Sequence, residues 1–131
     1  MRALIVEDEL ASRALIQEIL EPVAECKVAT NGNEAIEAFV AAWADKAPFD
    51  FICFDIKMPG MDGKTALKKI RDIEKEMGVK GSEEVRAIMT TGLDDARTVV
   101  DSFFQSGATS YIVKPITQDK LFAEMKKLKI L

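Results

Sequence analysis

An α/β fold, a doubly wound five-stranded parallel sheet with five helices, is what this sequence predicts, and three observations predict it. Short apolar runs alternate with longer stretches of helical periodicity, five times over. The runs are continuously aliphatic or aromatic, as strands buried on both faces require. The chain has 131 residues, 48% hydrophobic and 31% charged, which is one soluble domain of ordinary size. A chain of this length buries about two-thirds of its unfolded surface and needs no disulfide or structural metal to fold.

Taken in order, Ala3 to Val6 is an aliphatic run that ends in the acids Glu7, Asp8 and Glu9, the first strand. Leu10, Ala14, Ile16 and Leu20 follow at mostly helical spacing, and Pro22 stops that helix. Cys26 to Ala29 reads as the second strand. Asn31-Gly32 makes a turn into an Ala-rich helix over 33–44, where Asn31 and Glu34 can form a reciprocal cap. Phe51-Ile52-Cys53-Phe54 is the strongest strand signal, followed by a loop over 55–63 and a helix over 64–77. After a break at 78–82, Val85 to Thr90 forms the fourth strand. Asp94 or Asp95 caps a helix to about residue 106, with Gly107 as its stop. Ser110 to Val113 is the fifth strand, ended by Lys114-Pro115, and Thr117 caps a last helix whose inner face carries Leu121, Met125 and Leu128. No repeat or linker interrupts the series, so residues 1–131 are expected to form one domain without an output domain.

Composition removes several function classes. Eighteen basic against 22 acidic residues give a net charge of −4, a poor fit to nucleic-acid or anionic-membrane binding. The absence of His rules out a His-based triad, a His-ligated zinc site and a phosphohistidine within this chain. Cys26 and Cys53 have neither metal-ligand nor redox-motif spacing and read as thiols in a reducing compartment. No apolar run approaches the roughly 18 residues that span a bilayer. The amino terminus turns acidic too early for a signal peptide, so a cytoplasmic location is expected.

The acids at the strand ends carry the chemistry. In an open parallel sheet, ligands bind beyond the carboxyl ends of the strands where the strand order reverses. If the first strand neighbours the third, Glu7, Asp8 and Asp55 meet there, and three carboxylates in a small space need a cation. Hard oxygen ligands with room for water select Mg²⁺. Lys114, after the fifth strand, and Thr90 or Thr91, at the end of the fourth, reach the same edge. A metal and a lysine can neutralise the oxygens of a transferring phosphoryl group beside a nucleophilic carboxylate. Asp55 takes that role because it stands alone while Glu7 and Asp8 are paired.

These residues resemble a known family. The runs 4–9 (Leu-Ile-Val-Glu-Asp-Glu) and 54–63 (Phe-Asp-Ile-Lys-Met-Pro-Gly-Met-Asp-Gly), the pair Thr91-Gly92 and the run 111–115 (Tyr-Ile-Val-Lys-Pro) look like the receiver domain of bacterial two-component response regulators, of the single-domain, CheY-like type. The resemblance covers essentially the whole chain. It implies the strand order 2-1-3-4-5, and that Asp55 is the phosphoacceptor. It further implies that Asp8, Asp55 and the backbone carbonyl of Lys57 bind Mg²⁺ with help from Glu7, and that Lys114 pairs with the phosphoryl group. The Lys114-Pro115 bond is expected to be cis. Thr91 matches the switch hydroxyl and Tyr111 the switch aromatic. The donor is expected to be a phosphohistidine on a histidine kinase or phosphotransfer protein. The signal would leave by contact with a downstream target through the face built from residues 96–106, the fifth strand and the last helix. Such a domain phosphorylates and dephosphorylates itself without turning over a separate substrate.

Glu7 stands where the family often has Asp, which lengthens one arm of the metal site. Lys57, two residues past the acceptor, and Leu93, two past Thr91, are expected to influence the hydrolytic water. Two readings compete with a switch that drives a target: a relay intermediate that passes its phosphoryl group to a partner His, and a phosphatase of the haloacid dehalogenase type. The phosphatase wants a second Asp two residues after the nucleophile, where Lys57 stands. A flavodoxin-like phosphate-binding module fails too, because Glu7-Asp8-Glu9 would repel a phosphate.

Overall fold

The computed structural model describes residues 1–58, 60–92 and 107–131. Five parallel strands, β1 (Arg2–Val6), β2 (Glu25–Ala29), β3 (Phe51–Asp55), β4 (Arg86–Thr91) and β5 (Ser110–Val113), form one sheet in the order β2-β1-β3-β4-β5. Among the described residues the helices are α1 (Leu10–Leu20), α2 (Gly32–Ala44), α3 (Gly63–Glu76) and α4 (Gln118–Lys127), with a short 3₁₀ turn at Gly81–Glu83. The helix expected over 95–106 lies outside the described residues, as does Leu93. No described helix is long and apolar enough to cross a membrane.

Successive side chains on a strand point to opposite faces, so each strand feeds two cores. Leu4, Val6, Ile52, Phe54, Ala87 and Met89 pack on one face, with Phe39 of α2 and Leu67 and Ile70 of α3. Ala3, Ile5, Phe51, Cys53, Ile88 and Ile112 pack on the other, with Ile16 and Leu20 of α1 and Leu121 and Met125 of α4. Burial of each large side chain contributes roughly 1.5–3 kcal/mol. Because both faces are covered, the strands read as unbroken apolar runs.

The phase of α1 differs from the sequence reading. Its buried residues are Ile16, Ile19 and Leu20, while Leu10 is 70% exposed and Ala14 is also exposed. The helix turns its amino-terminal apolar residues outward because only its second half lies over the sheet. The cap of α2 differs too. Asn31 accepts from the Glu34 amide at 2.9 Å, but the Glu34 carboxylate bonds the amide and hydroxyl of Thr30 instead of returning to Asn31. Met58 is buried in the core and Met61 packs against it, so both fill space.

Register decides what meets at the carboxyl edge. Val6 lies beside Ala29 and Phe54, Asp55 beside Thr90, and Thr91 beside Val113. The ladder runs one residue past each strand: the Glu7 amide donates to Ala29 O, Ile56 to Thr90 O and Lys114 to Thr91 O. Glu7 and Asp55 therefore leave the sheet at one level, and Lys114 stands two residues beyond Ile112, which shares that level.

Candidate functional site

The reversal of strand order between β1 and β3 opens the crevice into which these residues project. Ligand oxygens of Glu7, Asp8 and Asp55 all lie within 4.8 Å of one another. Glu7 and Asp55 are buried, at 1% and 7% exposure, and Asp8 is exposed. The Lys114 ammonium stands 3.1 Å from Glu7 Oε1 and 3.5 Å from Asp55 Oδ1, bridging the two buried acids. Lys57 donates its main-chain amide to Asp55 Oδ1 at 3.3 Å, and its side chain is exposed. The Lys114–Pro115 peptide bond is cis.

The electrostatics of the cluster are out of balance. Burial, then the hydrogen bond and negative charge of Asp55, push the Glu7 carboxyl up to about 7 against the pull of Lys114. Burial works to lower the Lys114 ammonium, but the carboxylates of Asp55 and Glu7 outweigh it and hold it above its ordinary value. Glu7 Oε2 is buried with no hydrogen-bond partner among the described residues. An orphaned carboxylate oxygen beside two more hard-oxygen donors is the environment a small divalent cation satisfies, so the residues present fit Mg²⁺.

The two threonines separate clearly. The Thr90 hydroxyl, 1% exposed, donates across the sheet to Phe54 O at 3.2 Å and is committed to the neighbouring strand. Thr91, 3% exposed, ends β4, and its hydroxyl donates to the Gly92 carbonyl at 3.4 Å. Tyr111 lies on β5 three residues before Lys114 and is 43% exposed.

Two positioning features escaped the sequence reading. Gly63 opens α3 so close to the acceptor that a Cβ there would lie 2.2 Å from Asp55 O, while its amide donates to Ile56 O at 3.0 Å. Asp62 caps the helix by accepting from the Thr65 amide at 2.8 Å. In the sequence, Asp62-Gly63 reads only as a turn. The second is Arg13 of α1, whose Nη1 donates to Glu7 O at 3.0 Å and Asp8 O at 3.3 Å.

Residues 3–126 match the family model described as response regulator receiver domain. The chain is 36% identical over 131 residues to chemotaxis protein CheY of Bacillus subtilis (strain 168), covering 96% of this chain and 95% of that one. Among solved structures, it is similar to the receiver domain of the histidine kinase CKI1 from Arabidopsis thaliana complexed with Mg²⁺ (TM-score 0.81, 28% identity, 97% of this chain and 90% of that one). It is also similar to a chain in the co-crystal structure of the Saccharomyces cerevisiae phosphotransfer protein Ypd1 and the receiver domain of Ssk1 (TM-score 0.78, 28% identity, 98% and 86%).

Proposed function

The chain belongs to the response regulator receiver domain family, and on that premise we propose that it is a phosphorylation-driven switch whose acceptor is Asp55. One observation carries the reading: a buried Asp55 shares a lysine with Glu7 inside a three-carboxylate cluster, at the crevice where strand order reverses. A carboxylate oxygen of Asp55 attacks phosphorus on a partner phosphohistidine. The O–P bond forms as the P–N bond breaks, and the imidazole leaves with a proton from solvent. Lys114 holds the incoming phosphoryl oxygens, and the Lys57 amide keeps Asp55 oriented. Glu7, Asp8, Asp55 and the Lys57 carbonyl are the groups to hold Mg²⁺, which when bound neutralises charge on the phosphoryl group. Water later cleaves the acyl phosphate, returning the carboxylate and inorganic phosphate.

Thr91 is the hydroxyl to read the phosphoryl group, since Thr90 is occupied by Phe54 O. Tyr111, outward on β5, is the side chain to change place when Thr91 is drawn toward Asp55. The donor is a histidine kinase or phosphotransfer protein, in keeping with the two-component character of the family. The signal then leaves by protein contact through β5, α4 and residues 96–106, the last outside the described residues. A groove of about 600 Å³ between β5 and α4, lined in part by Tyr111, Lys120 and Glu124, supports that surface.

The test is direct. With a small acyl phosphate and Mg²⁺, one phosphoryl unit should appear in the intact mass, and Asp55→Asn should stay unmodified. Addition at another residue would overturn the acceptor assignment. Capture of a partner by the phosphorylated chain separates a switch from a relay: a relay loses its phosphoryl group to a His of the captured protein.

A further inference from the structure

We infer that Arg13 is a positioning residue of the proposed metal site, acting through the main chain of Glu7 and Asp8 rather than through its charge. The inference rests on the reading of Glu7, Asp8 and Asp55 as cation ligands and concerns what makes the first two converge on the third.

β1 ends at Val6 and α1 begins at Leu10, so both ligand-bearing residues lie in the short connection between them. The Glu7 amide is held by Ala29 O, but the carbonyls of Glu7 and Asp8 lie beyond the last residue of β1. The Arg13 Nη1 bonds both, at 3.0 and 3.3 Å. One donor shared by two successive carbonyls fixes the two peptide planes on either side of Asp8, and those planes set the directions in which the Glu7 and Asp8 side chains depart. Nothing else in α1 does this work: its N-cap, Glu9, makes no side-chain cap hydrogen bond.

The placement also runs against simple electrostatics. A cation in the opening turns of a helix opposes the helix dipole, so Arg13 has no local reason to be there. Its charge reaches Glu34 beyond β2, helping hold that carboxyl below its ordinary range behind the hydrogen bonds from Thr30.

Charge and positioning predict opposite signs. A guanidinium near a cation site repels the cation, so if Arg13 acts only as a charge, its removal tightens Mg²⁺ binding. If it clamps the ligand-bearing peptide, removal loosens binding despite the lost repulsion. The experiment is calorimetric titration of the whole chain with Mg²⁺, for wild type, Arg13→Met and Arg13→Lys, at low and high KCl. The clamp predicts about tenfold weaker binding for Arg13→Met, as is usual when the groups that orient metal ligands are lost. The loss should persist at high salt, because a hydrogen bond is not screened as a Coulomb term is. Arg13→Lys, with the charge kept on a shorter stem, should fall between. Carbonyl ¹³C shifts of Glu7 and Asp8 should move in metal-free Arg13→Met while the melting temperature changes little. Binding by Arg13→Met as tight as or tighter than wild type, or a loss that vanishes in high salt, overturns the inference. Wild type failing to bind Mg²⁺ would instead take down the metal reading itself.

Discussion

Glu7 and Glu74 are both 1% exposed, and their surroundings could hardly differ more. Glu74, on α3, has each oxygen matched: Arg71 donates to Oε1 at 2.7 Å, and the Val85 amide to Oε2 at 2.8 Å. Arg71 in turn gives Nε and Nη2 to Gly107 O at 3.1 and 2.9 Å, tying α3 to the turn before β5. At the carboxyl edge, Glu7 shares one lysine with Asp55, leaves Oε2 without a partner among the described residues, and has its proton affinity raised by burial and by Asp55. One buried acid completes the fold; the other is left wanting something. Burial alone therefore does not mark a functional residue, whereas burial with an unmet bond does.

The sharpest way to break this contrast is at the satisfied end. Glu74→Ala takes away the buried partner of Arg71 Nη1 and strands the Val85 amide, and should cost about 3 kcal/mol in urea unfolding. Acyl-phosphate labelling of Asp55 should stay within about twofold of wild type under conditions where the variant is folded. A large labelling defect in folded Glu74→Ala would show that the two acids are not separable.

Gly63→Ala probes the boundary between the two regions, since α3 begins against the acceptor's own carbonyl. A Cβ at 2.2 Å from Asp55 O forces backbone to move, at about 2 kcal/mol by overpacking. Here stability and phosphorylation should fall together, the second read by intact mass.

Glu7→Gln tests the unsatisfied end, and its sign is opposite to Glu74→Ala. A carboxyl lifted from 4.5 to about 7 on folding takes up its proton more readily in the native state. Stability of the metal-free protein should then fall as pH rises from about 4.5 to 7, with the full penalty present above 7. Glu7→Gln removes that penalty and should stabilise the metal-free chain at pH 8, on the order of 1 kcal/mol, while weakening Mg²⁺ binding. A pH-independent effect on the urea midpoint would contradict the imbalance.

The smallest effects concern residues beside the acceptor. Lys57→Asn and Leu93→Glu should each change the decay rate of the phosphorylated protein by about threefold or more, and Lys57→Asn should do so with little change in stability, since substitutions at an exposed residue stay within about 0.5 kcal/mol. If neither alters decay, neither residue governs access of water. Leu93 lies outside the described residues, so that arm rests on sequence spacing alone.

The legible and illegible parts of the sequence divide along the same line as the two glutamates. Strands buried on both faces announce themselves, as Phe51 to Phe54 does, because apolar continuity is a local property. Glu7, Asp8, Asp55 and Lys114 could be foreseen at one edge because strand ends are predictable and parallel topology puts every carboxyl end on the same side. Glu74 could not: within Lys68-Lys69-Ile70-Arg71-Asp72-Ile73-Glu74-Lys75 it reads as one more solvated charge, and only the arrival of Val85 and Arg71 makes it interior. The outward phase of Leu10 and Ala14 was hidden for a similar reason, because which side of a helix is inner depends on where the sheet lies beneath it. Gly63 and Arg13 act on main-chain carbonyls, which carry no sequence signature.

Cys53 lies on β3, two residues from the acceptor, and burial pushes its thiol up to about 12. Burial also raises the half-buried Cys26. Neither forms much thiolate at neutral pH, so both should react sluggishly with maleimides. A cysteine introduced at an exposed position would therefore take a fluorophore well ahead of the native pair, and the wild-type background is already suited to single-site optical reporters without prior removal of either residue.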